Sequence, residues 1–368
     1  MKVITSKADL VEALSLVGRA VASRTSVHVL TGVLLEASDE GMTLAATDME
    51  ISMQVPLRGR VEAPGAVVMP ARLLSEIART LAGGDVVLTK EATAAEIELR
   101  NGGSEFLLRV LPAADFPALP VFPSEEAFVV DKDAFLATIG RVMSAASKDE
   151  TRPVLTGVLL QVARNVVRMV ATDSYRLSVK ETPVDASVKD KVQVIVPARC
   201  LGEVARVGAA TDTDRLTVIP SSNQILFGLG EVLIMSRLID GQFPNYRQLI
   251  PESFESHAFV GRSEFVDALH RVRTLAQKNA PVRLAFEQSS LTISVQSQDV
   301  GTAREALPVR YEGEPLEIGF NPQFLLDGAE AIPVEEIELR FISPLRPGLM
   351  RGSTDDFLYL IMPIRLGD

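Results

Sequence analysis

Two short sequences each occur twice in this chain at the same spacing. The string LTGVLL runs over Leu30–Leu35 and Leu155–Leu160, and ATD occurs at Ala46–Asp48 and Ala171–Asp173. Both pairs are offset by 125 residues (155 − 30 and 171 − 46). Two matches in one register indicate a duplicated unit, which constrains the fold more tightly than any other feature of the chain.

More of the chain follows this repeat. VMPARLLSEIA at Val68–Ala78 matches IVPARCLGEVA at Ile195–Ala205. The dipeptide Phe116-Pro117 likewise matches Phe243-Pro244. After Pro251, 117 residues remain (368 − 251), which is enough for a third and more divergent copy. The sequence therefore predicts three tandem domains of one topology, with the boundaries 1–122, 128–251 and 256–368.

Each copy carries the same pattern of elements. It opens with an amphipathic helix behind a Ser or Asp cap, and strands rich in Val, Leu and Ile follow, separated by turn residues. A second helix begins beside a proline in the segments that start at Pro70, Pro197 and Asn321,. This pattern predicts an α+β fold. The predicted opening helices are Ser6–Val21, Asp131–Ala146 and Ser263–Ala276.

Composition narrows the compartment and the partners. The chain has one cysteine, Cys200, and no apolar run that approaches the roughly 18 residues of a membrane span, so we expect a cytoplasmic protein without a membrane partner,. The formal net charge of −11 argues against nucleic acid as a partner,. Net charge is an average, however, and a basic inner surface can coexist with an acidic outer one.

The residues of an active site are not apparent. His28, His257 and His270 stand apart from any residue at metal-ligand spacing, and Cys200 falls within a predicted helix, where a buried thiol is expected,. A phosphate-binding loop of the GxxxxGK[ST] type is absent from the sequence, and TDTD at Thr211–Asp214 is typical of a turn,. We predict a protein that is not an enzyme, with no catalytic residues, no cofactor and no metal.

Three longer strings identify a family. VATDSYRLSV (170–179), DGQFPNYRQLIP (240–251) and YLIMPIRL (359–366), together with MKVITSKADLVEAL and LPAADFP, closely resemble the bacterial sliding clamps, the beta subunits of DNA polymerase III. The resemblance extends over the whole chain in order. It implies a head-to-tail homodimeric ring, with helices lining the hole and sheets outside, that encircles duplex DNA without reading its sequence.

The same resemblance implies partners. The ring would confer processivity by tethering the DNA polymerase III alpha subunit, and it would also bind the clamp loader and other proteins that carry a clamp-binding motif. The alternative is a clamp-like, peptide-binding scaffold that is not loaded on DNA. Arginines on the helices, such as Arg19, Arg72 and Arg271, fit a basic hole, but they equally fit solvated helix faces with i,i+4 ion pairs,.

The resemblance also implies site residues, carried over position by position. For the ring interface these are Phe106 and Leu108 opposite Thr274 and Leu275, where the threonine is more polar than the aliphatic residue usual in the family. For DNA they are Arg24, Lys148, Arg152 and Lys278. For the peptide pocket they are Leu155, Thr172, Ser174, Tyr175, Arg176, Leu177, Pro244, Leu249, Leu360, Met362, Pro363 and Ile364.

Comparison of the copies refines the pocket prediction. The first copy has Met49-Glu50-Ile51 where the second has Ser174-Tyr175-Arg176, whereas the preceding Thr and Asp are shared. Positions shared by the two copies are expected to serve the fold, and positions that differ are expected to serve recognition of the peptide. Arg176 and Arg365 are expected to supply polar contacts at the rim of the pocket. The alternative makes Leu177 and Met362 plain core residues. Gly367 and Asp368 extend the chain beyond the point where many family members stop.

Overall fold

The computed structural model describes residues 1–120, 127–184, 191–276, 280–297, 301–354 and 356–366. The chain forms two compact units. One comprises Met1–Lys132 and Glu203–Leu238, and the other comprises Asp133–Gly202 and Ile239–Asp368.

The part of the first copy that the structure describes contains two α-helices and ten strands. In chain order they are β1 (Lys2–Ser6), α1 (Lys7–Val17), β2 (Gly32–Ser38), β3 (Gly41–Thr47), β4 (Ile51–Pro56), β5 (Arg60–Ala63), β6 (Gly65–Pro70), α2 (Ala71–Thr80), β7 (Asp85–Thr89), β8 (Glu96–Asn101), β9 (Ser104–Arg109) and β10 (Leu111–Pro112).

The second copy follows the same order. Its elements are β11 (Phe128–Asp131), α3 (Lys132–Val142), β12 (Gly157–Ala163), β13 (Val166–Thr172), β14 (Arg176–Pro183), β15 (Val192–Pro197), α4 (Ala198–Ala210), β16 (Arg215–Pro220), β17 (Gln224–Leu229) and β18 (Val232–Arg237).

The third copy, which shares little sequence with the others, has that order as well. Its elements are β19 (Ser256–Gly261), α5 (Arg262–Arg273), β20 (Val282–Glu287), β21 (Ser290–Ser297), β22 (Gly301–Pro308), β23 (Arg310–Glu312), β24 (Leu316–Phe320), α6 (Pro322–Ala331), β25 (Glu336–Phe341), β26 (Gly348–Arg351) and β27 (Phe357–Ile361). When the short strands β5, β10 and β23 are left out, the elements of each copy follow one order: one strand, a helix, four strands, a second helix and three strands. The predicted α+β threefold repeat is confirmed.

The strands form four antiparallel sheets. The first unit holds a five-stranded sheet in the order β5-β1-β7-β8-β9 and a nine-stranded sheet, β10-β6-β2-β3-β4-β18-β17-β16-β11. The second unit holds a nine-stranded sheet, β15-β12-β13-β14-β27-β26-β25-β19-β23, and a four-stranded sheet, β22-β21-β20-β24. Strands of the second copy therefore belong to both nine-stranded sheets.

Each nine-stranded sheet continues from one copy into the next through equivalent strands. Ser236 of β18 pairs with Ile51 of β4, and Ile361 of β27 pairs with Arg176 of β14. Both partners shift by 125 residues (361 − 236 and 176 − 51), so the two junctions share one register. The repeat thus extends to the way in which consecutive copies join.

The helix ends differ in part from those predicted. Ser6 caps α1, since its Oγ accepts a hydrogen bond from the backbone N–H of Asp9 at 3.0 Å. Ser263 was expected to cap α5 but lies within its first turn, which corrects the prediction. Strand β19 runs directly into the helix, with Gly261 at the cap position and the N–H of Arg262 bonded to the carbonyl oxygen of Glu335 at 2.7 Å.

Candidate functional site

The repeated ATD string builds a tight turn after β13. The Thr172 hydroxyl donates to the carbonyl oxygen of Arg176 at 2.6 Å, and Asp173 Oδ1 accepts the N–H groups of Tyr175 and Arg176 at 2.9 and 3.0 Å. These bonds hold Ser174 in the left-handed region, with φ at 81°,.

The turn after β3 in the first copy is built in the same way. Asp48 Oδ1 accepts the N–H groups of Glu50 and Ile51 at 3.0 and 2.8 Å, and Met49 has φ at 76°. The Thr47 hydroxyl donates to the carbonyl oxygen of Ile51 at 3.2 Å. The shared Thr and Asp therefore hold the backbone, as predicted from the comparison of the copies.

Arg176, next in the second-copy turn, is buried with 7 % of its surface exposed. Its Nη1 donates to the Tyr359 hydroxyl at 3.2 Å, and its guanidinium lies 4.2 Å from the Phe324 ring centroid,. The remaining contacts of the guanidinium are hydrogen bonds to Asp173, Asp327 and the carbonyl oxygen of Ser144. The prediction that Arg176 supplies polar contacts at the rim of the pocket is wrong, because its buried side chain connects the turn to α6 and β27.

Burial and charge shift the pKa values in this network. Burial alone would lower the pKa of Arg176, but interactions with Tyr359 and Asp327 raise it above its usual value,. Burial also raises the pKa of the Tyr359 phenol well above its usual value, despite the opposing effect of Arg176. Arg176 is thus charged and Tyr359 neutral throughout the physiological range.

The floor of the site is an apolar core. Leu177 pairs with Leu360 across β14 and β27, and both are almost fully buried. They pack in one cluster with Phe243 and Tyr246, from the segment before the third copy. For Leu177 the core interpretation is therefore correct. Leu155 is buried as well.

An exposed apolar surface lies beyond this core. Met362 follows β27 and is 42 % exposed, and Tyr175 is 61 % exposed. The backbone N–H of Met362 donates to the carbonyl oxygen of Tyr175 at 2.8 Å, so the two residues are adjacent. Leu249 is 50 % exposed at the end of a short 3₁₀ helix that opens with the core residue Tyr246. The core interpretation thus fails for Met362, which leaves its side chain available to a partner.

Leu345 is a further exposed apolar residue, and it was not predicted. Leu345 is 64 % exposed and lies in the turn before β26. Gly348, the first residue of β26, pairs with Ile361, which precedes Met362. An apolar residue within the turn sequence SPLRPG was the available signal. We call Tyr175, Leu249, Leu345 and Met362 the apolar surface. The other predicted pocket residues have graded exposure: Pro244 exposed, and Pro363 and Ile364 half-buried.

The predicted DNA-contacting residues fall in different surroundings. Arg24 and Lys148 are exposed. Arg152 pairs with Asp149 at 3.0 Å and donates to Ser174 Oγ at 3.1 Å. Lys278 lies outside the described residues, as do Gly367 and Asp368.

Several helix arginines are paired with carboxylates. Arg72 contacts Glu76 at 3.0 Å, and Arg271 of α5 contacts Glu305 of β22 at 2.8 Å. The hydrogen bond from Arg271 lowers the pKa of the Glu305 carboxyl below its usual value. The i,i+4 pair of Arg72 matches the solvated-face alternative, whereas Arg271 pairs with a strand residue instead.

The predicted interface residues lie in an edge strand, β9, and at the end of helix α5. In β9, Phe106 is half-buried and Leu108 is buried, and Leu107 between them is 62 % exposed. Strand alternation turns Leu107 outward, although the sequence prediction did not include it. At the end of α5, Thr274 is exposed, with its hydroxyl bonded to the carbonyl oxygen of Arg271 at 2.7 Å, and Leu275 is half-buried.

Two further observations concern other kinds of site. Across the part of the chain that the structure describes, every helix is too short or too polar to cross a bilayer. Over the same residues, His, Cys, Asp and Glu form no group of three or more that could hold a metal ion.

A threefold repeat whose sheets continue from copy to copy, with an apolar surface beside a buried arginine network, defines a binding protein of the DNA clamp fold. Family models agree along the chain: the N-terminal, central and C-terminal domains of the DNA polymerase III beta subunit match residues 1–120, 129–245 and 247–365. The chain belongs to the DNA polymerase III beta subunit family, which confirms the predicted resemblance. Members of this family are non-catalytic subunits, so the prediction of a protein that is not an enzyme is also confirmed.

Individual relatives are similar over their full length. The beta sliding clamp of Synechococcus elongatus is 35 % identical, and that of Streptomyces coelicolor is 34 % identical, with all of each chain covered. Among solved structures, the DNA polymerase sliding clamp of Bacillus subtilis superimposes with a TM-score of 0.95 at 31 % identity, over 100 % of both chains.

Proposed function

We propose that this chain is a replication sliding clamp: two copies form a ring that encircles duplex DNA and tethers the replicative polymerase to it. Three domains, with the boundaries 1–122, 128–251 and 256–368, would each contribute two helices to the hole. The ring is inferred from the strand junction that joins consecutive copies, β4 with β18 and β14 with β27. Two strands at the equivalent positions, one in the first copy and one in the third, have no such partner in the described chain.

These two strands are β9 and β22. Strand β9 occupies the position of β18 and β27 in its copy, and β22 occupies that of β4 and β14. Each is the last strand of its sheet in the described chain. An unpaired edge is a template for another strand, so we infer that β22 of one copy pairs with β9 of a second. The contact is head-to-tail and closes when two copies form both junctions.

The shared register extends to this third junction. The hairpin of β8 and β9 closes with the pair Asn101–Ser104, and that of β17 and β18 closes with the pair Leu229–Val232. Ser104 therefore takes the position of Val232, an offset of 128 (232 − 104). In β22, Thr302 takes the position of Leu177, an offset of 125 (302 − 177). The pair Leu177–Leu360 then corresponds to Thr302–Leu107 between copies, which would cover the exposed Leu107. Two residues along, Glu105 faces Arg304, an attractive cross-strand pair.

The apolar surface supports the tethering role. Its methionine and leucines present flexible apolar side chains over a rigid floor, which suits Leu and Phe anchors of short peptides. We propose that the DNA polymerase III alpha subunit, the clamp loader and other motif-bearing proteins bind there. Thr172, Arg176 and Leu177 would shape the site from below, whereas Tyr175 and Met362 would touch the peptide.

Sequence-independent contact with DNA completes the proposal. Exposed cations such as Arg24 and Lys148 can attract phosphates without creating the barriers that base readout would impose on sliding. Arg152 and Lys278 belong to the same proposed set. The protein would act in the cytoplasm, where bacterial DNA is replicated.

Retention on DNA tests this function. The purified chain is loaded by a clamp loader onto nicked circular DNA, half of which is then linearised, and bound protein is measured over time. Retention on circles with loss from linear DNA is the expected result. Equal loss from both, despite successful loading, would contradict topological linkage and favour the scaffold that does not encircle DNA.

A further inference from the structure

The first unit contains an open pocket of about 80 Å³ that none of the predicted sites accounts for. We propose that it is a second peptide-binding site, for a segment in which an acidic side chain stands beside an aliphatic one. This proposal rests on the peptide-binding role inferred for the apolar surface. The lining residues are Thr47, Met49, Glu50, Ser52, Pro117, Ala118, Leu119, Pro120, Gln224, Met235, Ser236 and Arg237.

The pocket occupies the position that the apolar surface and its floor hold in the second unit. It lies at the junction of β4 with β18, the register equivalent of the junction of β14 with β27. That register relates five positions of the pocket to five of the second unit. The pairs are Thr47 with Thr172, Met49 with Ser174, Ser52 with Leu177, Met235 with Leu360, and Arg237 with Met362. Pro117 likewise matches Pro244. The same framework thus underlies both the pocket and the apolar surface.

The walls of this pocket are more polar than those of its counterpart. Ser52 replaces the buried Leu177, and its hydroxyl donates to Thr47 Oγ1 at 2.7 Å. Apolar contact area remains, because Met49 is 45 % exposed and Met235 lies buried below. Pro117, Leu119 and Pro120 also line the pocket and form its proline-containing wall. One aliphatic side chain of a ligand therefore finds partners here.

Charge selects the neighbouring residue of the ligand. Arg237 stands where the counterpart has Met362, and it is exposed. Within the described residues its guanidinium makes no hydrogen bond or ion pair, so it is available to a carboxylate,. The carbonyl oxygen of Glu50 accepts the N–H of Arg237 at 3.0 Å, which places the turn before β4 beside Arg237.

The dimensions and rigidity of the site favour a peptide over a cofactor. A volume of about 80 Å³ lies well below the roughly 300–1,000 Å³ of small-molecule and cofactor pockets and suits a single side chain. The proline-containing wall is held in place because Phe116 is buried in a core cluster with Leu30, Leu34 and Val68. A preformed wall reduces the entropy lost on binding.

Panning a phage library of random heptapeptides tests the proposal. The target is the full-length chain carrying Tyr175→Ala and Met362→Ala, which truncates two of the four side chains of the apolar surface. Recovered sequences are synthesised with a fluorescein label, and their affinities are measured by anisotropy. We expect an Asp or Glu beside Leu, Ile or Met, and at least about a tenfold loss of affinity when Arg237→Glu is added. Replacing the acidic residue of the peptide by Lys should restore binding to that variant.

Other outcomes overturn the proposal. Peptides whose affinity is unchanged by Arg237→Glu would bind elsewhere, and failure to recover any peptide would exclude this ligand class. Inorganic phosphate, tested alone, should not compete with the peptides; complete competition would identify a simple anion site. None of these results bears on retention on circular DNA or on peptide binding by the wild-type apolar surface, so the two proposals fail separately.

Discussion

Arg176 donates a hydrogen bond from Nε to Asp173 Oδ2 at 3.0 Å, across the turn that the two residues delimit. The first copy has Ile51 in place of Arg176 and forms the same turn. The arginine therefore is not needed to shape the backbone. It connects the turn to Asp327 of α6 and Tyr359 of β27, which fixes the third copy against the loop that carries Tyr175.

Removing this guanidinium should destabilise the protein strongly. Arg176→Ala leaves Asp173 and Asp327 largely buried without their common cation, and breaking such a pair costs about 3–5 kcal/mol,. Urea unfolding followed by circular dichroism measures the change. Arg72→Ala, which breaks an exposed pair with Glu76, is the control and should change stability by about 0.5 kcal/mol or less,. A similar small effect for both variants would contradict the structural role of Arg176.

Truncation of the apolar surface should separate binding from folding. Tyr175→Ala with Met362→Ala is expected to weaken peptide binding by about 2 kcal/mol or more, as hot-spot truncations do, with the thermal midpoint nearly unchanged. Leu177→Ala should instead lower the free energy of unfolding by about 2–5 kcal/mol, because Leu177 is a core residue,. Calorimetric titration and thermal melts measure the two effects. Unchanged peptide affinity in the double variant would refute the assignment of the surface.

Charge reversal should test the ring register. Glu105→Arg places a cation opposite Arg304 of the second copy, and Arg304→Glu places an anion opposite Glu105, so each variant should favour monomers in native mass spectrometry. The double variant should recover dimers, because attraction is restored. Glu105 also lies 3.4 Å from Arg100, so Glu40→Arg, in an exposed turn, provides a control for charge alone. Dimers of wild-type strength in both single variants would exclude this register.

Stability in acid should depend on Glu338. Burial acts to raise the pKa of this carboxyl, but hydrogen bonds from Arg340 and His257 lower it below its usual value. The unfolded chain then binds the proton more readily than the folded one, so the stabilisation is present above about pH 4.3, the usual pKa of Glu, and is lost as pH falls through the folded pKa. Glu338→Gln should therefore be less stable than wild type at pH 7, with a difference that shrinks in acid. Glu40→Gln should show no such trend.

Much of the fold was predictable because its signals are local and repeated. Helix caps, strand-forming runs and the ATD turn depend on residues a few positions apart, so they survive in each copy where the sequence does. The third copy keeps its element order despite little identity, because apolar periodicity requires only the class of residue.

Residue roles at the candidate site were less accessible. A charged side chain is normally expected at the surface, and Arg176 departs from that expectation because two carboxylates, a phenol and an aromatic ring compensate its burial. Three of these partners, Phe324, Asp327 and Tyr359, lie about 150 residues or more away in the sequence. Leu345 and Leu107 were missed for the opposite reason, since a single apolar residue in a turn or strand is usually buried.

The sequence by itself determined the threefold repeat, the order of helices and strands, and the family, since each follows from strings and periodicities that local physics preserves. The tertiary structure alone decided which side chains face solvent, that consecutive copies join in one register, and that a second pocket exists at the first junction. Those properties depend on contacts between residues far apart in the chain. Burial there is set by what packs against a side chain rather than by its neighbours in sequence.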